Sequence, residues 1–257
     1  MNGAFYVGAV GLQAQERALD IVSNNIANIN TPAFKRSDVR FSAMLASRND
    51  PDAPAANAAD LFSAAGVMAS AAPSIDEPGD LQSTGKAGDL AINGRGFIEL
   101  MGPGGQTLLW RGGALKVGDD GMLAAADSGL QLKAAISVPA DATSFTIGTD
   151  GVVSAITSTD AAPVEIGKIA LVTADDTSTL TTLNGGLYSV DDESRLREAA
   201  AGEDGAGTLV QGSLERSNVE MTGEMVELML VQRAYAANAQ IVQAADQLMA
   251  IANGLRR

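Results

Sequence analysis

The sequence predicts an α+β fold in which long N- and C-terminal coiled-coil-forming helices flank a central antiparallel β domain. Three observations predict it. Large apolar residues recur every seven positions at both ends of the chain, the spacing that keeps one seam of a helix facing a partner. Between the ends, short apolar runs are closed by Asn-Gly and Asp-Gly pairs, which supply the positive φ of tight hairpin turns. A stretch rich in Ala, Asp, Pro and Ser separates the first helix from those runs. The boundaries that follow are 1–41 for the N-terminal helix and turn, 42–87 for an extended connector, 88–208 for the β domain and 209–257 for the C-terminal helix.

The first helix is expected over residues 2–28, because no Pro interrupts it and Thr31-Pro32 then stops it. Its length would be ~40 Å. Phe5, Leu12, Leu19 and Ile26 form one row, and Gly8, Gln15, Val22 and Ile29 a weaker row three residues on. Asn24, Asn25, Asn28 and Asn30 crowd its end. Asn side chains compete for local backbone hydrogen bonds, so a helix end and turn is the plain explanation. The sharper one is a subunit contact, with Asn25 and Asn28 flanking the seam and bonding across a helix–helix interface to fix its register.

From 42 to 83 the chain carries Pro51, Pro54, Pro73 and Pro78 and is expected to be extended or irregular, with a helical turn or two over the Ala-rich residues 58–65. A run of this length inside a domain is either a functional connector or a segment that a partner orders. Strands are then expected at 89–92 and 96–101, joined by Asn93-Gly94, and at 107–111 and 115–117, with Asp119-Asp120-Gly121 turning to Met122 and Leu123. Further strands are expected at 145–147 and 152–156 about Asp150-Gly151, and then at 166–173 and 187–190.

The last helix is expected to start after Ser217 or Asn218, either of which can cap it, and to run to about Asn253 before Gly254. At ~50 Å it is longer than a domain of this size usually needs. Met221, Leu228, Tyr235, Val242 and Met249 form its first row, and Ala234, Ile241, Leu248 and Leu255 a second beside it. One neighbouring helix cannot cover both. Helices whose apolar stripes have no partner are marginal in water, so the terminal segments are expected to be ordered by assembly.

Composition removes most catalytic chemistry. The chain has no Cys and no His, which excludes thiol nucleophiles, imidazole bases and the usual zinc and haem ligands. A formal net charge of -14 opposes phosphate backbones and anionic lipid, so neither nucleic acid nor a membrane is expected as partner. No stretch approaches the ~20 apolar residues of a membrane span, and the apolar run at 4–12 lacks the flanks of a cleaved signal peptide. Gly102-Pro103-Gly104-Gly105 lacks the Lys-Ser/Thr ending of a phosphate loop. Asp119-Asp120, Asp175-Asp176 and Asp191-Asp192-Glu193 lack the ligand order of a calcium loop and are expected to be solvated turns. Arg111-Gly112-Gly113 offers a guanidinium and two amides to an anion, or more simply a bulge between strands. No catalytic residue, metal site or cofactor is expected.

Several segments together resemble one family. The run from Asn24 through Thr31-Pro32-Ala33-Phe34-Lys35 is similar to the N-terminal signature of the axial proteins of the bacterial flagellum, and within them the rod proteins of the hook-basal body, with Ala33 where Gly is common. Asp89-Leu90-Ala91-Ile92-Asn93-Gly94-Arg95-Gly96-Phe97 and Thr146-Ile147-Gly148-Thr149-Asp150-Gly151-Val152-Val153 look like its central motifs. The segment from Val210-Gln211-Gly212-Ser213-Leu214-Glu215 to Val219, followed by Val231-Gln232-Arg233-Ala234-Tyr235, resembles its C-terminal signature. Among branches the likeness is greatest to the distal rod, although Arg111-Gly112-Gly113 stands where that pattern has an acidic or small residue before Gly. Proximal rod and hook-type proteins are the near alternatives, and a secreted β-rich hydrolase or an adhesin on a coiled-coil stalk the remote ones. The resemblance implies a structural subunit exported by the flagellar type III apparatus without a cleaved signal. It also implies stacking into a homo-oligomeric helical tube through the periplasm, against other rod and hook proteins and the surrounding ring proteins. The heptad residues Phe5, Leu12, Leu19, Ile26, Met221, Leu228, Tyr235, Val242 and Met249, with Asn25 and Asn28, are the candidate subunit interface.

Overall fold

The computed structural model describes residues 2–47, 62–158, 162–177, 180–183, 185–190, 195–203 and 205–254. The chain divides into two compact units. One comprises Met1–Ala27, Ser37–Ala72 and Val219–Arg257, and the other Asn28–Arg36 and Pro73–Asn218.

In the first unit, helix α1 (Asn2–Ala27) packs against helix α2 (Met221–Gly254). The pair runs antiparallel, since Asn25 meets Glu224 at one end while Gly11 and Gly8 lie against Asn238 and Val242 further along. Strands β1 (Ser37–Ser47) and β2 (Phe62–Pro73) form a two-stranded sheet. The connector is therefore extended in a definite way over its described residues 42–47 and 62–73. The helical turn expected over 58–65 is corrected where it is described: residues 62–65 are strand, because pairing with β1 outweighs the helix preference of Ala64 and Ala65, and residues 58–61 lie outside the described residues.

The second unit is built from β3 (Leu81–Ser83), β4 (Asp89–Asn93), β5 (Ile98–Met101), β6 (Thr107–Trp110), β7 (Gly112–Val117), β8 (Leu123–Ala125), β9 (Ala142–Ile147), β10 (Val152–Thr157), β11 (Val164–Lys168), β12 (Leu171–Ala174), β13 (Thr181–Thr182), β14 (Leu187–Ser189), β15 (Leu196–Ala199), β16 (Thr208–Gln211) and β17 (Ser213–Glu215). Two four-stranded sheets, ordered β16-β4-β7-β8 and β13-β14-β6-β5, are joined by β11-β10-β9, β12-β15 and β17-β3. The pairings in this unit are antiparallel. Leu90, Ile98, Leu100, Leu123 and Leu171 anchor its core.

Two expected turns fold as one motif used twice. In Gly118–Met122 and in Gly148–Val152 the first Gly donates to the carbonyl of the fifth residue, the fourth-position Gly donates back to the first, and the fifth amide donates to the Asp carboxylate between them. The result is the β7–β8 and β9–β10 hairpins. The Asn93-Gly94 hairpin is corrected. Strand β4 lies between β16 and β7, and β5 pairs with β6 instead. A type I′ turn needs both central residues near φ +57°, whereas Gly94 and Gly96 sit at +116° and +126° and Asn93 is not among the positive-φ residues. The chain therefore crosses to the second sheet. The single run expected over 166–173 is also divided, because the Ile169 amide donates to Gly151 and the chain turns there into β12, which pairs with β15.

Candidate assembly surface

Within the helix pair, α1 turns its smaller side chains inward. Its buried residues are Ala14, Ala18, Val22 and Asn25, a face of small side chains near the weaker row, while Leu12, Leu19 and Ile26 are only half-buried on the flank. Small residues explain this. An added Cβ at Gly8 would stand 2.7 Å from Val242 Cγ2, so the backbones approach where side chains are absent and the large row is pushed aside. On α2 the fully covered positions are Glu224 and Val231, with Leu228, Tyr235 and Val242 half-buried beside them and Met221 exposed. Phe5 and Met249 are helical, but their side chains lie outside the described residues.

Among the described residues, nothing covers the opposite face of α2. Met225, Val226, Met229, Leu230, Ile241 and Ile251 are exposed, Leu230 at 60% and Ile241 at 59%. The second row expected on this helix is thus exposed at Ile241 and half-buried at Ala234; Leu248 and Leu255 have no described side chains. By contrast, α1 turns Gln13, Glu16, Arg17 and Asp20 outward. Six large apolar side chains on one helix face make a patch of the kind that marks an interaction surface.

Asn25 is 1% exposed; its amide donates to Glu224 Oε2 (3.0 Å) and to the Ser37 carbonyl (2.9 Å), and its oxygen accepts from the Ser37 amide (3.0 Å). It does bond across a helix pair, but the pair belongs to one chain. Asn28 is half-buried and accepts from the Thr31 hydroxyl at 3.0 Å, which closes the turn after α1.

Sequence reasoning missed a buried ionic node in the second unit. Glu215 accepts from Lys35 Nζ (2.6 Å), Arg111 Nε (3.1 Å) and the Gly79 amide (2.9 Å). All three charged side chains are essentially sealed from solvent. Arg111 also donates to the carbonyls of Gly96 and Gly94, and its guanidinium lies 6.0 Å from the Phe97 ring centre. The anion for which Arg111 was a candidate holder is the chain's own Glu215. Burial pushes the Lys35 ammonium below its ordinary value, and the Glu215 carboxylate opposes that fall. Nearby, Tyr188 is buried against Phe97 with no hydrogen-bond partner for its hydroxyl among the described residues, and burial raises its pKa. The signal was present in the sequence. Lys35 closes the N-terminal signature and Glu215 lies in the C-terminal one, so each signature carries one charge of the pair.

The same region corrects the expected helix cap. Helix α2 begins three residues after Asn218, whose oxygen instead accepts from the Arg36 amide while its nitrogen donates to the carbonyls of Ser74 and Glu77. Ala33, where the signature favours Gly, has φ +57° and is buried. Asp120 and Asp175 are exposed, the first engaged in its turn and with Gln131, the second paired with Arg197; Asp191-Asp192-Glu193 lies outside the described residues.

Family models match this chain in three places: "Flagella basal body rod protein" over 5–35, "Flagellar hook protein FlgE/F/G D1 domain" over 91–155, and "Flagellar basal body rod FlgEFG protein C-terminal" over 210–255. The flagellar basal-body rod protein FlgG of Bacillus subtilis is 32% identical over 271 residues, covering 100% of both chains. FlgG of Caulobacter vibrioides is 32% identical over 269 residues, covering 98% of this chain and 99% of the relative. FlgF of the same organism is 30% identical over 255 residues, covering 96% and 95%. With likeness at this level across its whole length, the chain belongs to the flagellar basal-body rod proteins, a family of structural components rather than enzymes.

Proposed function

We propose that this chain is the distal-rod subunit of the flagellar basal body and polymerises through its terminal helices into a tubular drive shaft. The observation that supports the reading most is the uncovered apolar face of α2, which one partner helix within the chain leaves open. Neighbouring copies in a homo-oligomeric tube cover it, through coiled-coil contacts that also take in the flanking rows Phe5, Leu12, Leu19 and Ile26 on α1 and Met221, Leu228, Tyr235, Val242 and Met249 on α2. Asn25 and Asn28 set the helix end beside that seam. Burying one large apolar side chain contributes roughly 1.5–3 kcal/mol, so six on α2 offset much of the cost of association. Residues 42–87 connect the helices to the β domain at 88–208 and bridge adjacent subunits.

Other rod and hook proteins, the surrounding ring proteins and the type III export apparatus are the remaining partners. That apparatus delivers the chain across the inner membrane to the growing rod. The FlgG relatives favour the distal rod, and the FlgF relative keeps a proximal position as the second reading. The test is removal of residues 223–257: the β domain should keep its fold while polymerisation is lost. Rods built by the shortened chain would overturn the reading.

A further inference from the structure

Met221, Met225 and Met229 stand at successive four-residue steps along α2, one helical turn apart, and are 41%, 55% and 50% exposed. They form one ridge of the apolar face, beside Val226 and Leu230. We propose that this ridge is a peroxide-reactive modification site that controls whether α2 can self-associate; the control rests on the assembly reading given above. Thioether sulfur attacks the peroxide O–O bond and gains one oxygen, the peroxide is reduced to water, and each methionine becomes a sulfoxide. The change replaces a flexible apolar side chain with a polar one. Exposure makes the ridge reactive in the free subunit, and burial against a second copy then shields it. Sulfoxides along the ridge would have to be desolvated on association beside the apolar side chains of Val226 and Leu230.

The test uses the purified full-length chain, treated with hydrogen peroxide before polymerisation, beside the triple variant Met221→Leu, Met225→Leu, Met229→Leu. Leucine keeps the apolar volume and cannot be oxidised. Peptide mass mapping should find the three sulfoxides forming ahead of one at half-buried Met122, and the treated wild type should need a concentration at least about tenfold higher to assemble. The triple variant should need the same concentration to assemble with and without peroxide treatment, whatever its untreated value, and methionine sulfoxide reductase should restore the wild type. Unimpaired assembly of the treated wild type overturns the proposal, as does equal inhibition of the triple variant, which would move the effect to Met68 or Met101. If the untreated chain fails to assemble at all, the reading of α2 as an assembly surface falls, and the control falls with it.

Discussion

Glu215 faces two buried cations, and the arithmetic of that group decides what each change does. Removing the carboxylate leaves Lys35 and Arg111 sealed together without a counter-ion, and a broken buried pair typically costs about 3–5 kcal/mol. Removing Lys35 leaves a matched Arg111–Glu215 pair. Glu215→Gln is therefore expected to lower stability by roughly that amount in urea melts, and Lys35→Met by less than half of it. The two chains also differ in pH response. The folded-state pKa of Lys35 lies below 10.5, so between that lowered value and 10.5 the unfolded chain binds the extra proton and stability rises with pH. The margin of the wild type over Lys35→Met should widen across that window. The comparison belongs below pH 10, because Tyr188, with its pKa raised, costs stability above that point. A flat difference between the two chains would show that Lys35 stays fully charged.

Ala33 offers a second test at this scale. The left-handed conformation costs an L-residue about 1–2 kcal/mol, but Ala33→Gly gives up roughly 0.8 kcal/mol of methyl burial and about as much in chain entropy. The terms nearly cancel, so Ala33→Gly should shift stability by less than about 1 kcal/mol. Ala33→Val adds a branched side chain at φ +57° and should cost about 3 kcal/mol. Equal melting curves for the two variants would refute the strain.

Among the elements, Asn218 separates two roles that the sequence left equivalent. Its side chain bonds to backbone groups of Arg36, Ser74 and Glu77 rather than to the first turn of α2. Asn218→Ala should accordingly cost about 2–3 kcal/mol, near the sum of three modest hydrogen bonds, with no loss of helicity by far-ultraviolet circular dichroism. A loss of helix signal with little change in the melting of the β unit would restore the cap. The helices themselves were legible because hydrophobic periodicity is a local property, and the end of α1 at Ala27 follows from the Pro32 beyond it. The Gly-x-Asp-Gly hairpins were legible for the same reason. Asn93-Gly94 misled because the carbonyls that Arg111 holds lie fifteen and seventeen residues away, a tertiary bond that overrides turn chemistry. The small residues on α1 carry no such periodic signal: Gly8, Gly11 and Ala18 bring the two helix backbones close by lacking size.

For the molecule as a whole, the two faces of α2 give opposite expectations for similar substitutions. Leu228 is half-buried in the helix pair, so Leu228→Asp should weaken the lone chain by several kcal/mol as well as block assembly. Leu230→Asp, on the uncovered face, should leave the monomer within about 0.5 kcal/mol of wild type and still prevent polymerisation. Sedimentation and chemical melts on both variants check this, and a Leu230→Asp chain that polymerises would remove the outer face from the interface.

The polypeptide passes between its two units four times, at Ala27–Asn28, Arg36–Ser37, Ala72–Pro73 and Asn218–Val219. Three of those passages are laced together, since Ser74 donates to Arg36 and Asn218 ties both. Arg36, Ser74 and Asn218, which flank three of those passages, are thereby clasped together within the β unit, so a change at any one of them is felt at the other two.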